Sequence, residues 1–271
     1  MLQVYKISGR QNFFSNLSLT SQLIFANVFF YFVSLIILFT LGEDFFLNNF
    51  AINPEQISQG KSLWTFFTSM FSHVLFFHIF ANMFSLFFIG NFLEKIIGKK
   101  RFFWVYIVSG ILGGIFFVAS GIIFNNSSPG VGASGAIFGL LGVLAVLVPR
   151  SKIYLIAGPL ILILLQVILS PVIPVNLAGT LSFIFNILIF AMILSMFSFN
   201  SSMRKIAVPI ELQMWLLPII AIVPLVTIGF FVNLPIGNSA HIGGLIVGLL
   251  YGFYLKQKYP NKTRMISRHF Q

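Results

Sequence analysis

The sequence predicts an all-α, polytopic membrane protein built as a helical bundle. The chain of 271 residues is 58% hydrophobic and only 8% charged, whereas a water-soluble domain carries about 25% charged residues. Several apolar runs reach the ~18 residues that are needed to cross a hydrocarbon layer about 30 Å thick. These two observations exclude a soluble fold. The absence of cysteine excludes disulfides, thiolate metal sites and cysteine nucleophiles.

Eight apolar segments account for the predicted spans. They are, in chain order, Leu23–Leu41, Phe76–Phe92, Phe102–Phe124, Ser134–Val148, Ile153–Leu169, Ala178–Phe197, Leu212–Val232 and Ser239–Leu255. The fifth contains Gly158, Pro159 and Gln166, so a re-entrant or broken helix remains open there. The segments divide the chain into an N-terminal tail at 1–22, a membrane domain at 23–256 and a basic C-terminal tail at 257–271.

The positions of the basic residues predict the orientation of the spans. The formal net charge of +11 would suggest a nucleic-acid partner in a soluble protein, but here the basic residues lie in short clusters between apolar runs. With both termini in the cytoplasm, every Lys and Arg except Lys61 faces the cytoplasm, which is the asymmetry that orients membrane helices. We therefore expect a multi-pass protein in contact with lipid and with no nucleic acid. No soluble targeting extension is visible, which favours the plasma membrane.

Four polar side chains share one depth in the predicted bilayer. At 1.5 Å per residue from the basic end of each helix, Ser134 lies ~24 Å up, His241 ~22 Å, Asn82 ~20 Å and His78 ~26 Å. Polar groups at such depth are costly and mark functional sites, unless they only hold helices together. A hydroxyl and an imidazole can supply a nucleophile and its base. Asp44 is the only aspartate, which excludes an aspartyl dyad.

Glycines flank both the serine and the histidine. The segment that begins at Ser134 is too short to span, because fifteen residues cover only ~22 Å, so the preceding loop must descend into the membrane with the backbone freedom of Gly130 and Gly132. Ser134 then opens a helix, where its unpaired N–H can stabilise an oxyanion, or where the serine is a simple N-cap. A groove for close helix packing follows His241, formed by Gly244, Gly248 and Gly252.

Three motifs in this region resemble those of the rhomboid intramembrane serine proteases. Gly132-Ala-Ser134-Gly135 is similar to the family's Gly-x-Ser-Gly nucleophile motif, Ala240-His241-x-x-Gly244 to its Ala-His-x-x-Gly base motif, and His78-x-x-x-Asn82 to its second-helix pair. The resemblance covers roughly 64–256, except the stretch around 150–210. It implies a rhomboid-like six-helix core. Because 107 positions separate the serine from the histidine, it also implies a two-segment insertion at 150–210 between their helices.

The resemblance also implies a role for individual residues. It makes Ser134 the nucleophile and His241 the general base, as a dyad. It makes His78, Asn82 and the Ser134 N–H the donors to the oxyanion. Positions that line the site would be Gly132, Gly135, Phe138 and Asn238. Residues with structural roles would be Trp64, His73 and Glu94. No cofactor and no metal are implied.

By the same resemblance, the substrates would be single-span membrane proteins that are cut near the outer end of their helix. Two other interpretations remain open on the sequence alone. One is a catalytically silent rhomboid-like protein that binds membrane proteins, although such a protein would be expected to lack the serine or the histidine. The other is a transporter that uses the polar groups as a path. The oligomeric state stays open.

Overall fold

The computed structural model describes residues 17–169, 172–229 and 237–270. These residues are mainly helical, and the only sheet among them is a two-stranded antiparallel ribbon. The predicted all-α membrane bundle is therefore confirmed. The chain divides into two compact units, one of Met1–Leu147 with Pro235–Ile266 and the other of Val148–Leu234 with Ser267–Gln271.

The described elements include a helix in each of the eight predicted segments, together with shorter helices and two strands that were not predicted. They are α1 (Leu19–Leu41), α2 (Glu43–Asn49), α3 (Pro54–Ser58), α4 (Thr65–Thr68), α5 (Phe76–Ser85), a π-helical turn (Leu86–Gly90), α6 (Asn91–Ile97), α7 (Lys99–Ile123), α8 (Ser134–Leu147), β1 (Lys152–Ile156), α9 (Ala157–Leu169), α10 (Val175–Ser195), α11 (Ser201–Lys205), β2 (Pro209–Gln213), a 3₁₀ turn (Met214–Leu216), α12 (Leu217–Gly229), α13 (Asn238–Lys258) and α14 (Pro260–His269). The basic tail predicted at 257–271 thus includes a ten-residue helix.

Four of the described helical stretches are long and apolar enough to cross a membrane. They are α1, the continuous stretch Phe76–Ile97 formed by α5, the π turn and α6, then α7 and α10. Helix α8 has 14 residues, as the sequence predicts for a helix that begins inside the bilayer. The apolar composition and repeated spans make the chain a multi-pass integral membrane protein.

Two predicted spans are shorter than expected because part of each is a β-strand. Strand β1 pairs antiparallel with β2, with Tyr154 opposite Glu211, so the prediction of a helical segment over Ile153–Leu169 is wrong at its first four residues. The segment predicted at Leu212–Val232 likewise begins in β2 and a 3₁₀ turn, and its last three residues lie outside the described residues. The second unit as a whole is longer than the insertion expected at 150–210, since it includes α12.

The core of the first unit is the contact between α7, α8 and α13. Nearly every residue of α8 is buried. A Cβ on Gly244 of α13 would fall onto the carbonyl oxygen of Gly135, and one on Gly248 onto that of Gly139. These glycines therefore let two helix backbones touch directly, which is how small residues pack helices in a membrane.

The first helix is joined to the second span by a buried carboxylate. Glu94 of α6 accepts hydrogen bonds from the N–H of Leu19 at 2.9 Å, and from the N–H and Oγ1 of Thr20 at 2.8 and 2.7 Å. The unpaired N–H groups and the positive end of the helix dipole both favour an anion at this place. Glu94 thus caps α1 from a neighbouring helix, which is consistent with the structural role that the resemblance implies.

Candidate active site

Ser134 and His241 meet at the beginnings of α8 and α13. The Nε2 atom of His241 lies 2.8 Å from the Oγ atom of Ser134, although 107 positions separate the two residues. Ser134 is the first residue of its helix, and His241 lies in the first turn of the other. The direct contact between Gly244 and Gly135 holds these two helix ends together. His241 is buried, whereas Ser134 is half-buried.

The imidazole of His241 is held in place by an aromatic ring. Phe138, one turn after Ser134, stacks on it with ring centroids 4.5 Å apart and an interplanar angle of 21°. Among the described residues, Nδ1 of His241 has no hydrogen-bond partner. In a neutral imidazole with its proton on Nδ1, Nε2 accepts the hydrogen bond of the serine hydroxyl. A hydroxyl bonded in this way can lose its proton to the ring as it attacks a carbon atom.

The loop before the serine lies against the second span. Gly132 has a φ of +128°, its N–H donates to the carbonyl oxygen of Ser69 at 2.8 Å, and a Cβ there would lie 2.8 Å from Nε2 of His78. Only glycine fits both the backbone conformation and this close approach. Gly130 does not need the same freedom, because it lacks a positive φ and forms an antiparallel bridge with Ile52.

His78 and Asn82 lie one turn apart on α5 and both border Gly132. Nδ2 of Asn82 would lie 3.6 Å from a Cβ on Gly132. The same Nδ2 atom is 3.1 Å from Nε2 of His73. Because an amide nitrogen only donates, His73 accepts this hydrogen bond and the second N–H of Asn82 stays available for another acceptor. The structure therefore brings both predicted donors beside the loop that leads into Ser134.

His73 is a site residue whose contact the sequence reasoning missed. It is fully buried, and its ring lies edge-on to that of His78 with centroids 5.0 Å apart. It orients Asn82 through the hydrogen bond described above, besides any structural role. One signal in the sequence could have identified this contact. The buried amide of Asn82 needs a hydrogen-bond partner, and His73 is the nearest polar ring before the second span.

The other predicted lining residues lie at the same helix ends. Asn238 is the first residue of α13 and is half-buried. Gly135 is buried, and a Cβ there would lie 3.3 Å from the carbonyl oxygen of Ala240, so it belongs to the helix contact more than to an open wall. Trp64 lies outside this cluster and donates from Nε1 to the carbonyl oxygen of Asn49 at 3.0 Å.

Comparisons with known proteins agree with this architecture. A family model described as the Rhomboid domain matches residues 60–187 and 185–258. The chain is 28% identical over 206 residues to RHOMBOID-like protein 6, mitochondrial, of Arabidopsis thaliana, covering 76% of this chain and 48% of that protein. It is 38% identical over 93 residues to Rhomboid protein 1, mitochondrial, of Saccharomyces cerevisiae, covering 34% and 27%.

A further relative is named as inactive. Inactive RHOMBOID-like protein 8 of Arabidopsis thaliana is 31% identical over 92 residues, which cover 34% of this chain and 25% of that protein. The chain thus spans less than half the length of each of these curated relatives. The family model nevertheless covers well over half of this chain, including both helices that carry the serine and the histidine. The chain is a member of the rhomboid family.

Proposed function

We propose that the protein is an intramembrane serine endopeptidase that cleaves transmembrane helices near the outer face of the bilayer through a dyad of Ser134 and His241. The observation that carries the proposal is the 2.8 Å hydrogen bond between Oγ of the serine and Nε2 of the histidine at adjoining helix ends. Membership of a family that contains serine proteases supports the same chemistry. The ring of Phe138 keeps the base in position.

The proposed reaction proceeds in two stages. Oγ of Ser134 attacks the carbonyl carbon of the substrate peptide bond, while Nε2 of His241 takes the hydroxyl proton. The negative charge on the carbonyl oxygen is stabilised by the side chains of His78 and Asn82 and by the N–H of Ser134. As the C–N bond breaks, His241 gives its proton to the leaving amine. Water then attacks the serine ester while His241 takes a proton from it, and His241 gives this proton to Oγ of Ser134 as the ester bond breaks.

The proposed substrates are single-span membrane proteins. A peptide bond within a regular helix is inaccessible to a nucleophile, so helix-weakening residues such as Gly or Pro near the cut should favour cleavage. We further propose that the protein lies in the plasma membrane with both termini in the cytoplasm, because all basic residues except Lys61 then face the cytoplasm. The mitochondrial names of two relatives make a mitochondrial membrane the competing location.

A second candidate function is a rhomboid-like protein that binds membrane proteins without cleaving them. The relative named Inactive RHOMBOID-like protein 8 favours it. Against it stands the intact pair of a hydroxyl and an imidazole within hydrogen-bonding distance. A protein that only binds has no chemical need for either group.

The two functions are separated by incubating the purified protein with a panel of reporter transmembrane peptides and identifying the products by mass spectrometry. We expect cleavage by the wild type, none by Ser134→Ala or His241→Ala, and a loss of about 10²–10³ in rate for Asn82→Ala. Ser202→Ala, which alters an exposed serine of α11, serves as the matched control and should retain full activity. Persistent cleavage by Ser134→Ala would overturn the proposal, as would an inert wild type that also fails to react with a fluorophosphonate probe.

A further inference from the structure

A cluster of two cations and three tyrosines lies at the end of α13 that is remote from His241. Arg101 donates from Nη2 to the hydroxyl of Tyr259 at 3.1 Å, and its guanidinium carbon lies 5.0 Å from the centre of that ring. Lys258 donates from Nζ to the hydroxyl of Tyr254 at 2.6 Å and lies 5.1 and 5.9 Å from the rings of Tyr254 and Tyr259. Tyr251 stacks on Tyr254. Both cations are therefore positioned around the same aromatic surface.

The positive charge of this cluster is not neutralised within the described part of the chain. The one ion pair among the described residues joins Lys152 to Glu211, in the other unit. The first turn of α7 contains no acidic residue, and the acid nearest to Arg101 in sequence, Glu94, is occupied by α1. A phenol accepts a hydrogen bond but carries no charge. Arg101 and Lys258 therefore keep most of their N–H donors for an anion.

The height of the cluster along α13 points to the lipid headgroups. Lys258 follows His241 by seventeen residues, or ~26 Å of helix, in a hydrocarbon layer about 30 Å thick. The cluster thus reaches the membrane–water interface opposite the one nearer the dyad. Tyrosines concentrate at such interfaces. The anions that line this layer are lipid phosphates, which an arginine fork and a lysine ammonium bind well.

The neighbouring helix α14 favours a lipid over a free anion. Its Thr263 is buried and donates from Oγ1 to the carbonyl oxygen of Tyr259 at 3.0 Å, while Met265 is 69% exposed on another side of the helix. Exposed basic side chains flank this methionine at Lys262, Arg264 and Arg268. A short basic helix with an exposed apolar side chain suits a position in the headgroup layer, where the apolar group enters the lipid and the cations meet phosphates.

We propose that Arg101 and Lys258 bind the phosphate of an anionic phospholipid in the leaflet opposite the dyad, with α14 lying in the same headgroup layer. The site is independent of the proposed peptidase activity, because none of its residues approaches Ser134 or His241. Its ligand class is a lipid with net negative charge, such as phosphatidylglycerol. A zwitterionic phosphatidylcholine carries the same phosphate but adds a cation that the cluster repels.

The test is native mass spectrometry of the purified full-length protein in detergent, titrated in parallel with phosphatidylglycerol and phosphatidylcholine of the same acyl chains. We expect preferential binding of phosphatidylglycerol. Each cation near an anionic lipid changes affinity about fivefold, so Arg101→Gln with Lys258→Gln should weaken phosphatidylglycerol binding about 25-fold. The double variant Lys61→Gln with Lys205→Gln removes the same charge elsewhere and should bind as the wild type does.

Three results would overturn the proposal. One is equal affinity for the two lipids, and another is unchanged phosphatidylglycerol binding by the Arg101 and Lys258 double variant. The third is displacement of the lipid by inorganic phosphate at matched phosphate concentration, since that would indicate a site for a free anion. If the double variant does not fold, as judged by its thermal unfolding, Lys258→Glu replaces it. That single reversal at an exposed position must weaken phosphatidylglycerol binding for the proposal to stand.

Discussion

The direct contact between α8 and α13 leads to a prediction about catalysis that needs no change in a reacting group. Gly244 lies three residues after His241, and Gly135 directly follows Ser134. A Cβ at position 244 would fall onto the carbonyl oxygen of Gly135 and lie 2.8 Å from its carbonyl carbon. Gly244→Ala therefore forces apart the two helix ends that carry Ser134 and His241, because no side-chain rotation can move a Cβ away from the backbone carbonyl that it meets.

The size of the effect follows from these distances. An ordinary contact of a Cβ begins at 3.4 Å, so the 2.8 Å approach to the carbonyl carbon alone requires the backbones to separate by about 0.6 Å, and the closer carbonyl oxygen requires a larger separation. The same displacement would lengthen the 2.8 Å bond between Ser134 and His241 beyond the range of an effective hydrogen bond. A misplacement of about 1 Å in a catalytic group can reduce the rate about 10²-fold. We expect kcat/KM to fall by about this factor.

The assay is cleavage of a reporter transmembrane peptide, with thermal unfolding in detergent measured on the same samples. Gly179→Ala in α10 is the matched control, because nothing lies within 4 Å of its added methyl group. Alanine also has a higher helix propensity than glycine. The control should keep full activity. If Gly244→Ala remained folded and cleaved the peptide within a few-fold of the wild-type rate, the contact would not position the dyad and the reasoning would be wrong.

Two further predictions concern the cap of α1 and the ring on the base. Glu94→Gln leaves part of a buried set of donors unsatisfied, so the free energy of unfolding should fall by about 1–3 kcal/mol in detergent. The control Glu55→Gln, at an exposed position, should not change this free energy. Equal free energies of unfolding for the two variants would contradict the cap. Phe138→Leu removes the stack on His241, and an aromatic pair of this kind contributes about 0.5–1.5 kcal/mol. We therefore expect kcat to fall about two- to tenfold with little change in KM. A change in KM alone would instead make Phe138 a substrate contact.

The short helix that begins at Ser134 could be predicted because its evidence is local. The number of apolar residues before Arg150 fixes its length, and the basic ends of neighbouring segments give a common reference for depth. The structure has a 14-residue helix beginning at this serine. The glycines of α13 were equally visible, since their spacing places Gly244 and Gly248 on one helical face. Residue counting and helix geometry were sufficient for both.

The strands could not be predicted because their partners are distant in sequence. Hydropathy predicts that Ile153 to Ile156 begin a membrane span. The backbone of this segment instead pairs with Pro209–Gln213, more than fifty residues away. The contact between His73 and Asn82 was missed for a different reason, because depth counting applies to helices and His73 lies in the loop before α5.

The site combines a rigid part and a part that depends on polar contacts. The serine and the histidine are fixed by helix contacts in which Gly244 and Gly248 touch the backbone of the other helix and leave no room for a side chain. The proposed oxyanion donors are instead held by side chains, since His73 orients Asn82 and the ring of His78 rests against Gly132. In the proposed reaction, this close packing of two helices keeps Oγ of Ser134 and Nε2 of His241 aligned. The proposed donors stand on another helix, and the loop that leads into Ser134 lies directly beside them at Gly132.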